Sequence, residues 1–122
     1  MLRIKYKLIT NNQSQNYTLM NQSFLVEKKN IYQVSKSNEA KTELNDGEVR
    51  FKIQKYALTS NNITYAVSGF QLKYWEFFPV DEINGIIPVW GYGKIVESKN
   101  DAIKVGERCY GYFPMAEFLT IL

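Results

Sequence analysis

The alternation of residues 49–58, which follows an Asp-Gly turn signal, constrains the fold of this chain more than any other feature. Val49, Phe51 and Ile53 are apolar, and the residues between them are charged. Successive side chains of a β-strand point to opposite faces, so this pattern predicts a strand with one buried face. The strand is the strongest secondary-structure signal in the sequence.

A short helix is predicted directly after this strand. Ser60 is a residue type that caps helix N-termini, and residues 61–67 combine apolar and polar residues over two turns. Gly69 is placed to end the helix, because glycine accepts the left-handed backbone that often follows a last turn.

The rest of the chain shows short strand patterns separated by turn signals. Strands are predicted at 2–9, 17–20, 23–27, 30–35, 86–98, 108–113 and 117–122, polar turns or loops at 10–16 and 37–42, an aromatic loop within 70–86, and a turn at Asn84-Gly85. Such a pattern predicts a mostly β domain with one or two short helices, arranged as a partly open β-barrel. We expect residues 44–122 to form the core, and residues 1–43 to add N-terminal strands or an extension of the same domain.

The composition argues against several kinds of site. The sequence has no histidine, which removes the commonest general base and the commonest metal ligand, so no metal site is predicted. The net charge is +3 and the basic residues are dispersed, whereas a nucleic-acid-binding protein usually concentrates them on one face. Aromatic residues beside lysine and arginine can stack bases, so binding of single-stranded nucleic acid remains a weaker alternative interpretation.

The cysteine content and the apolar pattern bear on location. Cys109 is the only cysteine, so an internal disulfide cannot form, and we expect this thiol to be buried and inert on its strand. No run of 18 apolar residues occurs, and the first residues alternate apolar and basic types, as a strand does and a signal peptide does not. We therefore expect a cytoplasmic protein that does not span a membrane.

Aromatic residues are concentrated in the second half of the chain. Trp75, Phe78, Trp90 and Tyr92 are candidates to wall a pocket for an apolar or aromatic substrate. The competing interpretation is that these side chains fill the core at one end of the barrel. Both interpretations stay open at the level of sequence.

Several segments, in this order, resemble the N-terminal GroES-like domain of the medium-chain dehydrogenase/reductases. They are the strand at 47–58, the turn and helix at 59–69, the glycine-containing strand at 89–96 and the Val-Gly-Glu-Arg-Cys turn at 105–109. More narrowly, the motifs at 61–66, 74–79 and 110–115 are similar to those of an uncharacterised branch of this superfamily, catalogued as a protein family of unknown function. The resemblance covers roughly residues 44–122.

The resemblance implies a zinc-free, quinone-oxidoreductase-like protein. Thr59, or Ser60 in a shifted register, occupies the position at which zinc-dependent members carry a cysteine ligand. The implied activity is hydride transfer between NADP(H) and a small carbonyl compound or activated alkene. The dinucleotide would be held by a Rossmann domain that this sequence lacks, so we expect no cofactor and little activity in this chain alone.

The resemblance also implies that the turn and helix face the substrate. Four polar residues there are candidates to orient a carbonyl group or stabilise charge on its oxygen: Asn61, Asn62, Thr64 and Tyr65. The alternative interpretation is that the two asparagines cap the helix and the tyrosine packs, since asparagine is favoured at helix starts.

A different class of function is compatible with the same sequence. The chain could be a stand-alone, non-catalytic module that binds a partner protein or forms a homo-oligomer through a barrel edge or an aromatic face. The apolar residues that end at Leu122 resemble an unfinished strand, which leads us to expect that the natural protein continues.

Overall fold

The computed structural model describes residues 20–122, which contain seven strands, one α-helix and one 3-10 helix. They are β1 (Met20–Glu27), β2 (Asn30–Ala40), β3 (Val49–Tyr56), α1 (Ser60–Val67), the 3-10 helix (Tyr74–Glu76), β4 (Asn84–Gly85), β5 (Pro88–Ser98), β6 (Arg108–Pro114) and β7 (Phe118–Ile121). Neither helix in this range is long and apolar enough to cross a membrane. The strand predicted at 2–9, the turn at 10–16 and most of the strand at 17–20 lie outside the described residues.

The strands form two antiparallel sheets. Sheet A has the order β2-β1-β4, and sheet B has the order β6-β5-β3-β7. The strand pairings within residues 20–122 are antiparallel, and the two sheets do not close into a barrel. The predicted fold class is confirmed: the domain is mostly β and partly open, with one short helix and one 3-10 turn.

The core of sheet B is built on the alternating strand that the sequence predicts. β3 begins at Val49 as expected and ends at Tyr56, two residues before the end of the predicted strand. Its apolar face packs against β5 and β6 in a buried cluster made of Val49, Phe51, Ile53, Val89, Ile95 and Phe113. The rings of Phe51 and Phe113 meet edge to face with 5.5 Å between their centroids, an arrangement that aromatic pairs favour.

A short backbone junction joins the two sheets between β1 and the segment that precedes β7. The Phe24 amide donates to the Met115 carbonyl over 2.8 Å. The Asn21 side chain extends this pairing, because its Nδ2 donates to the Phe118 carbonyl and its Oδ1 accepts from the Phe118 amide, at 3.1 and 3.0 Å. Sheet A is thereby fixed at one edge of sheet B.

Trp75 connects α1, the 3-10 helix and sheet A. Its indole is only 5% exposed and packs with Val26 and Ala66. A Cβ atom at Gly69 would lie 2.2 Å from the indole, and one at Gly85 would lie 2.4 Å from it, so both positions exclude any side chain. The indole Nε1 has no hydrogen-bond partner among the described residues. Shape, and not polar pairing, therefore fixes this contact.

Three details differ from the sequence predictions. The segment predicted as a loop at 37–42 is strand as far as Ala40. This edge strand is mostly exposed, so it needs no apolar alternation, and β1 supplies its backbone hydrogen-bond partners. The turn predicted at Asn84-Gly85 is strand β4, which pairs with β1 beside the indole of Trp75. The helix begins at Ser60, and its cap is Thr59.

We expect Gly85→Ala to destabilise the domain by about 1–3 kcal/mol, because the added methyl group overlaps the Trp75 ring and forces a packed site to shift. Gly111→Ala is the matched control, since a Cβ there meets no atom within 4 Å. Urea unfolding followed by circular dichroism measures both variants. Equal stability of the two variants would show that the indole is not held between glycines.

Candidate functional site

A pocket of about 330 Å³ lies between the start of α1 and the outer face of sheet B. Three predicted site residues from the helix region, Asn61, Asn62 and Tyr65, line this pocket together with the predicted wall residue Trp90. The remaining lining residues are Ala57, Thr59 and Tyr110. The fold thus brings residues from the β3–α1 turn, β5 and β6 to one place.

Asn62 holds the helix against the sheet. Its Oδ1 accepts from the Thr59 amide over 2.7 Å, which together with the Thr59 side chain forms a capping box. Its Nδ2 donates to the Pro88 carbonyl over 3.2 Å, and the residue is buried. Both ends of the amide are therefore occupied, as the capping interpretation expects, and α1 is tied to the first residue of β5.

Asn61 and Tyr65 are polar residues of the pocket lining. The Asn61 backbone amide donates to Thr59 Oγ1, whereas its exposed side-chain amide forms no hydrogen bond with any residue of the described part of the chain. The Tyr65 hydroxyl accepts from the Tyr112 hydroxyl over 3.2 Å, which leaves its own proton available to a ligand. The Tyr65 ring stacks on Tyr74 with 4.4 Å between centroids, so its position is fixed.

The environment of Tyr112 keeps its hydroxyl protonated. Burial, followed by the hydrogen bond to Tyr65, raises the pKa of Tyr112 to about 12. The residue therefore remains protonated, and able to donate a hydrogen bond, above the pH at which an ordinary tyrosine ionises. A donor of this kind polarises the Tyr65 hydroxyl and strengthens the bond that Tyr65 can give to a ligand.

Four aromatic residues continue from the pocket along sheet B, and we call them the aromatic strip: Trp90 and Tyr92 of β5, and Tyr110 and Tyr112 of β6. Antiparallel register places Trp90 opposite Tyr112 and Tyr92 opposite Tyr110. Ring centroids lie 4.1 Å apart for Trp90 and Tyr112, 5.5 Å for Trp90 and Tyr110, and 4.9 Å for Tyr92 and Tyr110. Their outer faces form a continuous aromatic surface.

Tyr110 and Tyr112 were not among the site residues predicted from the sequence. The signal for them is the alternation of residues 108–113, which places both rings on the face that carries Trp90 and Tyr92. Finding them requires the pairing of β5 with β6, which a single strand pattern does not supply.

The other predicted site residues lie outside this pocket. Thr64 is exposed on α1 and does not line the pocket, and Tyr92 lies one step further along the aromatic strip. Trp75 is in the core, where the competing interpretation placed it. Phe78 lines a separate groove of about 650 Å³ that residues of both sheets border.

Cys109 corrects another expectation. We predicted a buried thiol, but the residue is exposed on the edge strand β6. In β6, burial begins only near the C-terminal end of the strand, at Phe113. The first residues of the strand, Cys109 among them, are therefore exposed.

The described residues show neither a cluster of metal ligands nor the glycine-rich loop that binds the phosphates of a dinucleotide. Residues 20–122 contain no group of three or more histidine, cysteine, aspartate or glutamate side chains that could hold a metal. The first amides of α1 are engaged by its capping box. Gly91 and Gly93 do not form a phosphate loop, because both lie within strand β5 and pair with β3 and β6.

Fold and site together define a class: an open, two-sheet antiparallel β domain with an aromatic pocket beside a capped helix. The chain belongs to the family described as protein of unknown function DUF2855, whose family model matches residues 56–122. The matched segment includes every residue that lines the pocket. No curated protein matches the chain.

We expect Tyr112→Phe to remove the most alkaline step of the tyrosinate absorbance titration. The raised pKa of Tyr112 means that its contribution to stability is fully present below pH 10 and is lost as the pH rises through about 12. The stability difference between wild type and variant, about 1 kcal/mol near neutral pH for one hydrogen bond, should shrink over that window. Tyr32→Phe, at an 89% exposed position, is the control and should retain the late step. A late step that persists in Tyr112→Phe would contradict the assignment.

Proposed function

We propose that this chain is the substrate-side domain of an oxidoreductase-like protein related to the zinc-free medium-chain reductases. One observation carries the proposal: Asn61 and Tyr65, whose side chains can both donate hydrogen bonds, line one pocket together with Trp90 and Tyr110. Polar donors at the edge of an aromatic surface suit a planar carbonyl compound, whose ring stacks while its oxygen accepts hydrogen bonds.

The proposed role of the pocket is to bind and orient the carbonyl group. The Asn61 Nδ2 and the Tyr65 hydroxyl would donate to the carbonyl oxygen and stabilise the negative charge that develops there when the carbonyl is reduced. The hydroxyl of Tyr112, which donates to Tyr65, supports the second of these bonds. Trp90 and Tyr110 would exclude water from one face of the substrate.

The nicotinamide dinucleotide that the resemblance implies is assigned to another part of the protein or to a partner chain. Residues 20–122 contain no glycine-rich phosphate-binding loop, so the proposal limits their contribution to substrate binding and orientation. On this proposal the 122-residue chain binds carbonyl compounds and does not catalyse hydride transfer alone. Turnover of NADPH by the isolated chain would contradict this division.

We also propose that residues 20–43 belong to the same domain as those from position 44 onwards. β1 lies between β2 and β4 in sheet A, and Val26 of β1 packs against Trp75. A domain boundary at residue 44 would separate these partners. Their contacts therefore support residues 20–43 as an extension of the domain that follows, and not as a second domain.

The proposal predicts that acetylnaphthalene, a neutral planar ketone, binds in the pocket. Trp90→Ala should weaken binding about tenfold through lost aromatic contact, and Asn61→Ala about threefold to tenfold through one lost hydrogen bond. Both residues are exposed, so neither substitution should unfold the domain. Titration followed by amide chemical shifts gives the affinities and locates the ligand.

Ile63→Ala is the matched control, because Ile63 is 63% exposed on the same helix and does not line the pocket. Its affinity for the ketone should equal that of the wild type. Shifts confined to residues outside the pocket, or affinities unchanged in Trp90→Ala and Asn61→Ala, would overturn the proposal.

A second candidate function is a non-catalytic assembly module, and the aromatic strip favours it. Trp90, Tyr92 and Tyr110 are 42, 39 and 61% exposed. The first two lie on β5, and Tyr110 lies on the edge strand β6. Clustered exposed aromatic side chains are typical of protein-binding surfaces. The strip could dock a partner protein or a second copy of this chain.

The assembly candidate predicts a mass that rises with concentration in sedimentation velocity, because two strips would bury each other's aromatic surface. Tyr110→Ser should shift the chain towards monomer without affecting its fold. Tyr32→Ser, which alters a tyrosine on sheet A that is 89% exposed, is the control. A strictly monomeric wild type that co-purifies with no other protein would count against this candidate.

A further inference from the structure

A second pocket, of about 440 Å³, lies at the end of the aromatic strip remote from α1. Its lining is polar and predominantly cationic: Gln54, Lys55, Lys94, Gly106 and Arg108. The in-register pair of Lys94 and Arg108 continues the strip on the same face, two residues beyond the pair of Tyr92 and Tyr110. We call these three cations, Lys55, Lys94 and Arg108, the cationic cluster.

No carboxylate in the described part of the chain pairs with the cationic cluster. Within residues 20–122, the ion pairs that the structure shows join other residues, and none of the three cations contacts a carboxylate. Exposed cations gathered around a concave surface without a counter-charge produce a positive potential that attracts anions. An anionic ligand group would complement this end of the strip.

Arg108 is oriented for such a contact. Its Nε donates to Gln54 Oε1 over 2.8 Å, and its guanidinium lies 4.5 Å from the centroid of the Tyr92 ring. These two contacts hold the guanidinium while they leave its terminal amino groups for a ligand. A guanidinium so placed can form two parallel hydrogen bonds with a carboxylate or phosphate group.

Contacts run without a break from the carbonyl pocket to the cationic cluster. Trp90 contacts Tyr110, Tyr110 contacts Tyr92, and Tyr92 lies beneath Arg108. Along β5, the Cα atoms of Trp90 and Lys94 are four residues apart, which corresponds to about 13 Å of extended strand. Long lysine and arginine side chains shorten the span that a ligand must cover.

We infer that the site selects carbonyl compounds that carry an anionic group, carboxylate or phosphate, at the end of the molecule opposite the carbonyl. This inference rests on the proposed function, because it assigns the carbonyl end to the pocket of Asn61 and Tyr65. To the carbonyl class that the resemblance implies, it adds a negatively charged group on the substrate. The aromatic strip binds the apolar middle, and the cationic cluster binds the charged end.

The test compares acetylnaphthalene with acetylnaphthoate, which carries a carboxylate at the far end of the same ring system. The wild-type chain should bind acetylnaphthoate roughly tenfold more tightly, as expected for two or three exposed charge contacts. The double variant Lys94→Gln/Arg108→Gln should lose that advantage and keep its affinity for acetylnaphthalene. Raising the salt concentration should have the same effect, because exposed charges are screened.

Lys29→Gln/Lys36→Gln is the matched control, since it also removes two positive charges from exposed positions, one in the turn between β1 and β2 and one on β2. Its preference for acetylnaphthoate should equal that of the wild type. A loss of preference in this control as well would show a non-specific effect of net charge and would overturn the inference.

The remaining outcomes separate this inference from the proposed function. Equal affinities of the wild type for the two probes, with both still dependent on Trp90 and Asn61, would overturn the anionic class and leave the carbonyl pocket standing. Failure of both probes to bind would overturn both. Tighter binding of a single-stranded oligothymidylate of about eight nucleotides would overturn the inference in favour of a nucleic-acid surface.

Discussion

The burial of Trp75 between two glycines is the contact on which the rest of the structure depends. Gly69 follows α1 and Gly85 forms part of β4, so one indole sets the spacing between the helix and sheet A. Leaving the indole N–H without a partner costs about 1–3 kcal/mol, which the packing of Val26 and Ala66 must offset. With the helix held there, the polar residues of its first turns face the outer side of sheet B.

The sequence predicted the parts of the fold whose patterns are local. The alternation that starts at Val49 gave β3 and its buried face, because one face of that strand meets a continuous core. Strand β2 was cut short in the prediction, since an exposed edge strand has no apolar period to detect. The role of Gly85 depends on a ring ten residues earlier in the chain, and no local pattern contains that information.

The candidate site was predicted in part for a similar reason. Asn61, Tyr65 and Trp90 line one pocket. Thr64 does not line it, because neighbouring helix positions point in different directions. Trp75 does not line it either, because its indole is buried in the core. The cationic cluster was missed because its members come from three strands. Their proximity follows from strand register, which the dispersed charges of the sequence do not reveal.

The contrast between the two tryptophans gives this protein an internal optical reporter for each of its main parts. Trp75 is sealed from water and Trp90 is 42% exposed on the aromatic strip, so their emission should differ in wavelength and in accessibility to a quencher. Blue-shifted emission follows the integrity of the helix and sheet A contact. Red-shifted emission follows occupancy of the strip, so folding and binding can be observed separately in a single unlabelled sample.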